Sequence, residues 1–112
     1  MAEAQVTIFH DRMNVDRFDE IYESAHKDFK SNTPQETTDK LFSAIKRKLG
    51  RIESSEIINW NLNTHNLVTT VVLIYETKFT EGEATETFTY RIDGDQASLY
   101  GYNIDSLDML IK

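Results

Sequence analysis

This sequence predicts an α+β domain, with amphipathic helices in its first half and an antiparallel four-stranded meander in its second. Three observations carry that prediction. Residues Val68–Thr80, Glu83–Ile92 and Ala97–Ile104 are β-rich runs. The breaks between them, Glu81-Gly82 and Asp93-Gly94-Asp95, set glycine beside an acid, which supplies the positive φ of tight hairpins. Before residue 50, apolar residues recur at helical rather than strand spacing. Helices followed by a meander pack on one face of the sheet, and the space between the layers is where a pocket would form.

Val6, Phe9 and Met13 make the stripe of a first helix over about residues 3–13. Asn14 is placed to cap a second, with Asp16 in its first turn and Val15, Phe18, Ile21, Tyr22 and Ala25 as its apolar face. Phe29 anchors the following turn, and Lys27, Lys30, Ser31 and Asn32 form a polar break. Thr33, Pro34 and Glu36 suit the N-cap, N1 and N3 positions of a third helix. Leu41, Phe42, Ile45 and Leu49 are its buried stripe. Lys46, Arg47 and Lys48 complement its C-terminal dipole, and Gly50 follows as the C′ residue.

The first strand is expected over Ile52–Leu62, with Ile52, Ser54, Glu56, Ile58, Trp60 and Leu62 on one face and a turn at Thr64-His65-Asn66. In the second, Val71, Leu73, Tyr75, Thr77 and Phe79 oppose Val72, Ile74, Glu76 and Lys78. Both faces are apolar in the middle, so the second face needs cover from a helix, the tail or another subunit. Val72 and Ile74 are therefore the candidate dimer face. The third strand alternates cleanly, with Ala84, Glu86, Phe88, Tyr90 and Ile92 on the inner side. Leu99, Tyr100, Tyr102 and Ile104 make the fourth, and Ser106 is placed to cap a short tail helix carrying Leu107, Leu110 and Ile111. The 112 residues thus form one domain: helices over about 3–49, sheet over about 51–105, tail over 106–112.

Nineteen acidic and twelve basic residues give a net charge of −7, concentrated in the sheet half. Such a surface argues against nucleic acid and anionic membranes as partners. No cysteine is present, which removes disulfides, thiolate metal sites and thiol nucleophiles. No run approaches the roughly 20 apolar residues of a membrane span. Met1 is followed by Ala-Glu-Ala-Gln rather than a basic and apolar leader, which fits a cytoplasmic protein or a mature exported form with an added methionine.

Chemistry-bearing motifs are sparse. The four glycines are isolated, so no phosphate loop is formed, and no nucleophile elbow occurs. His10, His26 and His65 fall on separate elements without metal-ligand spacing and are expected at the surface; no metal and no cofactor is expected. Glu86 is the one catalytic candidate. Held against Phe88 and Tyr90 it would be a general base; near the mouth of the sheet it would be wet or paired with a lysine, the reading preferred. Phe29, Trp60, Tyr75 and Tyr90 would line an apolar ligand pocket or fill it as core.

The strings Tyr75-Glu76-Thr77-Lys78-Phe79, Ala84-Thr85-Glu86-Thr87-Phe88 and Gly101-Tyr102-Asn103-Ile104-Asp105-Ser106 resemble a bacterial family, domain of unknown function 4019. Asp16-Arg17-Phe18, Ile21-Tyr22, Leu49-Gly50, Trp60 and Gly82 agree with it, so the resemblance spans about residues 6–106. It implies a nuclear transport factor 2-like, cystatin-like cone, exported or lipid-anchored in bacteria. The chain departs in lacking a secretion signal and in running on through Leu107–Lys112. The wider fold hosts isomerases, dehydratases and binding modules. Their Tyr-and-two-acids pattern does not map onto this chain, and the cystatin loop Gln-x-Val-x-Gly is absent. Two functions follow. The first is a non-catalytic ligand-binding or interaction domain of the cell envelope, dimeric through the outer sheet face and open to a small apolar ligand. The alternative is a small isomerase or dehydratase with Glu86 as base and Tyr75 or Tyr90 as hydrogen-bond donor.

Overall fold

The computed structural model describes residues 2–111 and the side chains of residues 2–109. Helices α1 (Ala2–Asn14), α2 (Phe18–Ser24), α3 (Lys27–Asn32) and α4 (Gln35–Leu49) precede strands β1 (Ile52–His65), β2 (Val68–Phe79), β3 (Gly82–Asp93) and β4 (Gln96–Asp105), and α5 (Leu107–Ile111) follows. The strands form one open antiparallel sheet in the order β1-β2-β3-β4. The α+β class with helices preceding a four-stranded meander is therefore as the sequence predicts.

The two central strands alternate as expected. Val71, Leu73, Tyr75, Thr77 and Phe79 of β2, with Ala84, Glu86, Phe88 and Tyr90 of β3, are buried toward the helices. Against them lie Val6, Phe9 and Met13 of α1, and Phe42, Ile45 and Leu49 of α4. Phe9 centres this core: its ring lies 5.6 Å from Phe42, 5.0 Å from Phe88 and 4.9 Å from Tyr102. Such close-packed aromatic contacts favour edge and offset geometries over open space. Val72 and Ile74 sit half-buried on the opposite face, beside Asn61 and Thr89, and Asn59 and Thr87, respectively.

Several boundaries differ from expectation. Asn14 ends α1 rather than capping α2. Its amide instead clamps the start of β1, accepting from Ile52 N at 2.8 Å and donating to Ile52 O at 3.0 Å. The expected break at Lys27–Asn32 is helix α3, started by His26, whose Nδ1 accepts from Asp28 N. α4 begins one residue later than predicted, because Pro34 is extended and serves as the N-cap while Thr33 closes α3. Gly50 holds φ +86, and a Cβ there would collide with the Thr80 hydroxyl oxygen, so glycine is demanded by conformation and by contact.

β1 departs furthest. It runs three residues longer than expected, and its register slips between Ile52 and Ser54 and again between Ile57 and Asn59. The single face expected from Ile52 to Leu62 is thereby broken. Ser54 and Glu56 turn to the side of Lys78 and Glu76, while Ile57, Trp60 and Leu62 share the inner side with Tyr75, Leu73 and Val71. The turn is Asn66-Leu67, both with positive φ (51 and 66), a two-residue hairpin hidden by a leucine where glycine is usual. In the tail, Ser106 caps α5 as expected, with Met109 N donating to its hydroxyl and that hydroxyl donating to Glu83 O at 2.6 Å. Leu107 is 71 % exposed rather than packed, and the side chains of Leu110 and Ile111 lie outside the described residues.

Candidate functional site

Glu86 is the only buried carboxylate among the described residues, at 1 % exposure. It faces the helices because the two-residue period of β3 puts it in line with Ala84, Phe88 and Tyr90. It is neither wet nor paired with a lysine, contrary to expectation. A carboxylate in an apolar layer survives only when its oxygens are filled by donors. Three neighbours fill them. Thr77 of β2 donates its hydroxyl to Oε1 at 2.6 Å, and Tyr102 of β4 donates to Oε2 at 2.5 Å. His10 of α1 places Nε2 2.7 Å from Oε1.

His10 is the second correction. It lies buried rather than on the surface, four residues after Val6 and three before Met13, and so on the same helical stripe. Its ring stands edge-on to Phe88 at 5.7 Å. The site therefore joins one helix and three strands through one carboxylate. Burial, then the Glu86 charge and its hydrogen bond, hold the Tyr102 hydroxyl well above its ordinary range. Burial also raises Tyr90, followed by the effects of Tyr75 and Glu86; burial and then Glu3 raise Tyr75. The neutral hydroxyl is thus favoured in all three, and Tyr102 uses its own to donate to Glu86.

The four residues expected to line a pocket do not converge. Tyr75 and Tyr90 are buried, each ring about 6 Å from Phe88 (5.8 Å and 6.2 Å). Phe29 is half-buried beside Tyr22. Trp60 is 65 % exposed, on the inner side of β1 beside the first turn of α1. There it heads a mostly apolar groove of about 300 Å³ with Leu62, Val71, Leu73 and Ile92, closed on the helix side by Ala2 and Glu3 of α1. A larger cleft of about 670 Å³ at the α5 end of the sheet is polar, lined by Ser54, Glu56, Glu76, Asp105 and Asp108 among others. A crevice of about 20 Å³ separates α1 and α2 from Tyr90 and Leu99. Glu86 lines none of these openings.

Among the described residues, no group of three or more His, Asp or Glu side chains could hold a metal ion. No helix among them is long and apolar enough to cross a membrane. His10, Thr77 and Tyr102 were not singled out from the sequence. The signals were present but weak: His10 on the α1 stripe, and Thr77 inside a run of buried residues two apart. The chain matches no protein-family model and no curated protein.

Proposed function

We propose that this domain is a non-catalytic binding or interaction module that works through the exposed apolar groove headed by Trp60. The observation that carries the reading is a large aromatic left 65 % exposed beside Leu62, itself 58 % exposed, in a chain of net charge −7. Contiguous exposed apolar surface on a highly charged protein is characteristic of a binding site. The groove volume of about 300 Å³ is at the lower end of small-molecule sites, which suits a small apolar ligand or the side chains of a partner. The nuclear transport factor 2-like cone and an envelope location belong to the same proposal, supported by the residue strings at Tyr75–Phe79 and Gly101–Ser106.

One observation favours the enzyme reading: a buried Glu86 touching His10 and Tyr102 resembles an acid–base set. A base must reach its substrate, whereas this carboxylate is 1 % exposed, lines none of the openings and is held by three of the protein's own side chains. The binding reading is therefore preferred. It is tested by following Trp60 emission while titrating an apolar dye such as anilinonaphthalene sulfonate. A saturable blue shift kept in Glu86→Gln and lost in Leu62→Asp is expected. A response lost in Glu86→Gln and kept in Leu62→Asp would overturn it and restore the carboxylate as the working group.

A further inference from the structure

β1 is an edge strand, paired only with β2. Edge strands present unpaired N–H and C=O groups, and proteins guard them with lysine, proline, inward charges or covering segments. The other edge, β4, is covered in this way, with His26 N of the α2–α3 junction donating to Leu99 O at 2.8 Å. On β1, every residue from Ile58 to His65 is exposed. The bulge at Ile57/Asn59 is its guard, and beyond it Asn59–His65 runs in unbroken register with β2.

The composition of this edge is unusual for the chain. Nineteen consecutive residues, 57–75, contain no Asp, Glu, Lys or Arg, in a protein that is 28 % charged. They are the β1–β2 hairpin. Two copies that each carry −7 repel one another over most of their surfaces, and this hairpin is where they can meet without opposing like charges. Within residues 57–75 a strongly charged partner would find no counter-charge, the carboxylate bordering the groove being Glu3 of α1.

The order of residues then selects a self-contact. Asn59-Trp60-Asn61-Leu62-Asn63 has the same polar–apolar pattern in both directions about Asn61. Antiparallel pairing of β1 with itself places Asn61 opposite Asn61, each Trp60 opposite the other copy's Leu62, and Asn59 opposite Asn63. Asparagine carries both donor and acceptor, so the Asn pairs are self-complementary. Trp60 and Leu62 lie on the face of the groove, so their cross-strand pairs extend the groove's apolar surface. The backbone is aimed correctly: Trp60 N–H donates to the Asn59 side chain at 2.8 Å, a local placeholder on the open edge.

We propose that β1 is the interface with a second copy of this chain, the two strands pairing across a two-fold axis at Asn61 to join two four-stranded sheets into one. This inference deepens the binding reading above by naming its partner, and rests on it. Trp60, Leu62 and the flanking edge bury on the order of 500 Å² per copy. That is the lower end of specific interfaces, so the dimer forms in the micromolar range rather than the nanomolar.

The test is sedimentation of the whole chain from low-micromolar to near-millimolar concentration, with hydrogen exchange of the β1 amides in parallel. The expected species moves from 13.0 kDa toward twice that mass. The amides of Trp60, Leu62 and Thr64 gain protection as concentration rises. Asn61→Lys, at an exposed site where it cannot disturb the core, returns the protein to monomer by setting two cations across the axis. Ile74→Lys, on the outer face, leaves the dimer intact. Dimer loss in Ile74→Lys but not in Asn61→Lys would assign the contact to the outer face and overturn the proposal, as would a monomer at every concentration. A monomer whose Trp60 still answers the dye would remove the dimer and leave the groove reading standing. A monomer that no longer answers it would remove both.

Discussion

His10 Nε2 lies 2.7 Å from Glu86 Oε1, and 76 positions of sequence separate them. The contact ties the first helix to the third strand inside the aromatic core. Removing either partner leaves the other a buried polar group without its counterpart. Glu86→Ala is therefore expected to lose about 3–5 kcal/mol of stability, because three donors are orphaned together. Glu86→Gln keeps the volume and one acceptor oxygen and loses less. Urea denaturation of the two variants beside wild type checks the order; equal stabilities would refute it.

Tyr102 and Tyr90 make alkaline pH destabilising. Both hydroxyls are raised in the folded state, Tyr102 by burial and then Glu86, Tyr90 by burial and then Tyr75 and Glu86. A raised folded value means that the neutral form is favoured on folding. The associated stability is fully present below the unfolded tyrosine value near 10 and is lost as pH climbs above it. Each hydroxyl contributes a fall of about 1.4 kcal/mol per pH unit above that point. Urea midpoints measured between about pH 8 and 12 should drop in wild type and drop less steeply in Tyr90→Phe. A flat profile would contradict the burial of these hydroxyls.

Gly50 and Thr80 meet where α4 hands over to the sheet. The φ of +86 and the closeness of the Thr80 hydroxyl make Gly50→Ala costly on two counts. A loss of about 1–3 kcal/mol is expected from backbone strain, with the collision adding to it. Removing the hydroxyl in Gly50→Ala, Thr80→Ala relieves the collision and leaves the strain. Thermal melts of the single and double variants separate the two contributions.

Leu67 is 98 % exposed and holds φ 66 at the tip of the β1–β2 hairpin. A β-hairpin turn of this hand favours Asn-Gly, and Asn66 is already in place. Leu67→Gly should therefore stabilise the protein by about 1 kcal/mol, since a left-handed non-glycine residue costs roughly that much. A melting temperature that falls on substitution would refute the strain.

Trp60 and Phe88 are both large aromatics on the sheet, yet they occupy opposite environments. Phe88 is fully buried at 0 % exposure, and Phe88→Ala should cost about 3–5 kcal/mol. Trp60→Ala, at 65 % exposure, should stay within about 0.5 kcal/mol of wild type while changing dye response and self-association. Denaturation curves paired with sedimentation distinguish the structural aromatic from the binding one.

Much of this architecture was legible in the chain. The spacing of Val6, Phe9 and Met13 and the alternation through Ala84, Phe88 and Tyr90 follow from covalent geometry, because helix and strand repeats project side chains at set angles. Of the glycines in the two hairpins, Gly94 takes the expected positive φ; Gly82 does not, and starts β3 beyond a Thr80-Glu81 turn, where its missing side chain leaves room for Asp108. The β1 register was not legible. A bulge between Ile57 and Asn59 moves the strand by one residue, and nothing in the run Ile-Ile-Asn announces it. Glu86 was legible as inward-facing but not as satisfied, and Phe29 and Trp60 were legible as aromatic but not as separate from Tyr75 and Tyr90.

The sequence by itself determined the α+β class, the placing of helices before the meander, the inner face of the central strands and the charge-poor chemistry of the hairpin, since each is a property of neighbours along the chain. Only the tertiary structure decided that His10, Thr77 and Tyr102 converge on one carboxylate, that the interior is filled, and that Trp60 stands outside it. Those outcomes depend on which distant segments are brought together and on how far the helices reach across the sheet. A carboxylate in an apolar layer is tolerated or not according to donors 9, 16 and 76 positions away, a distance over which local spacing carries no information.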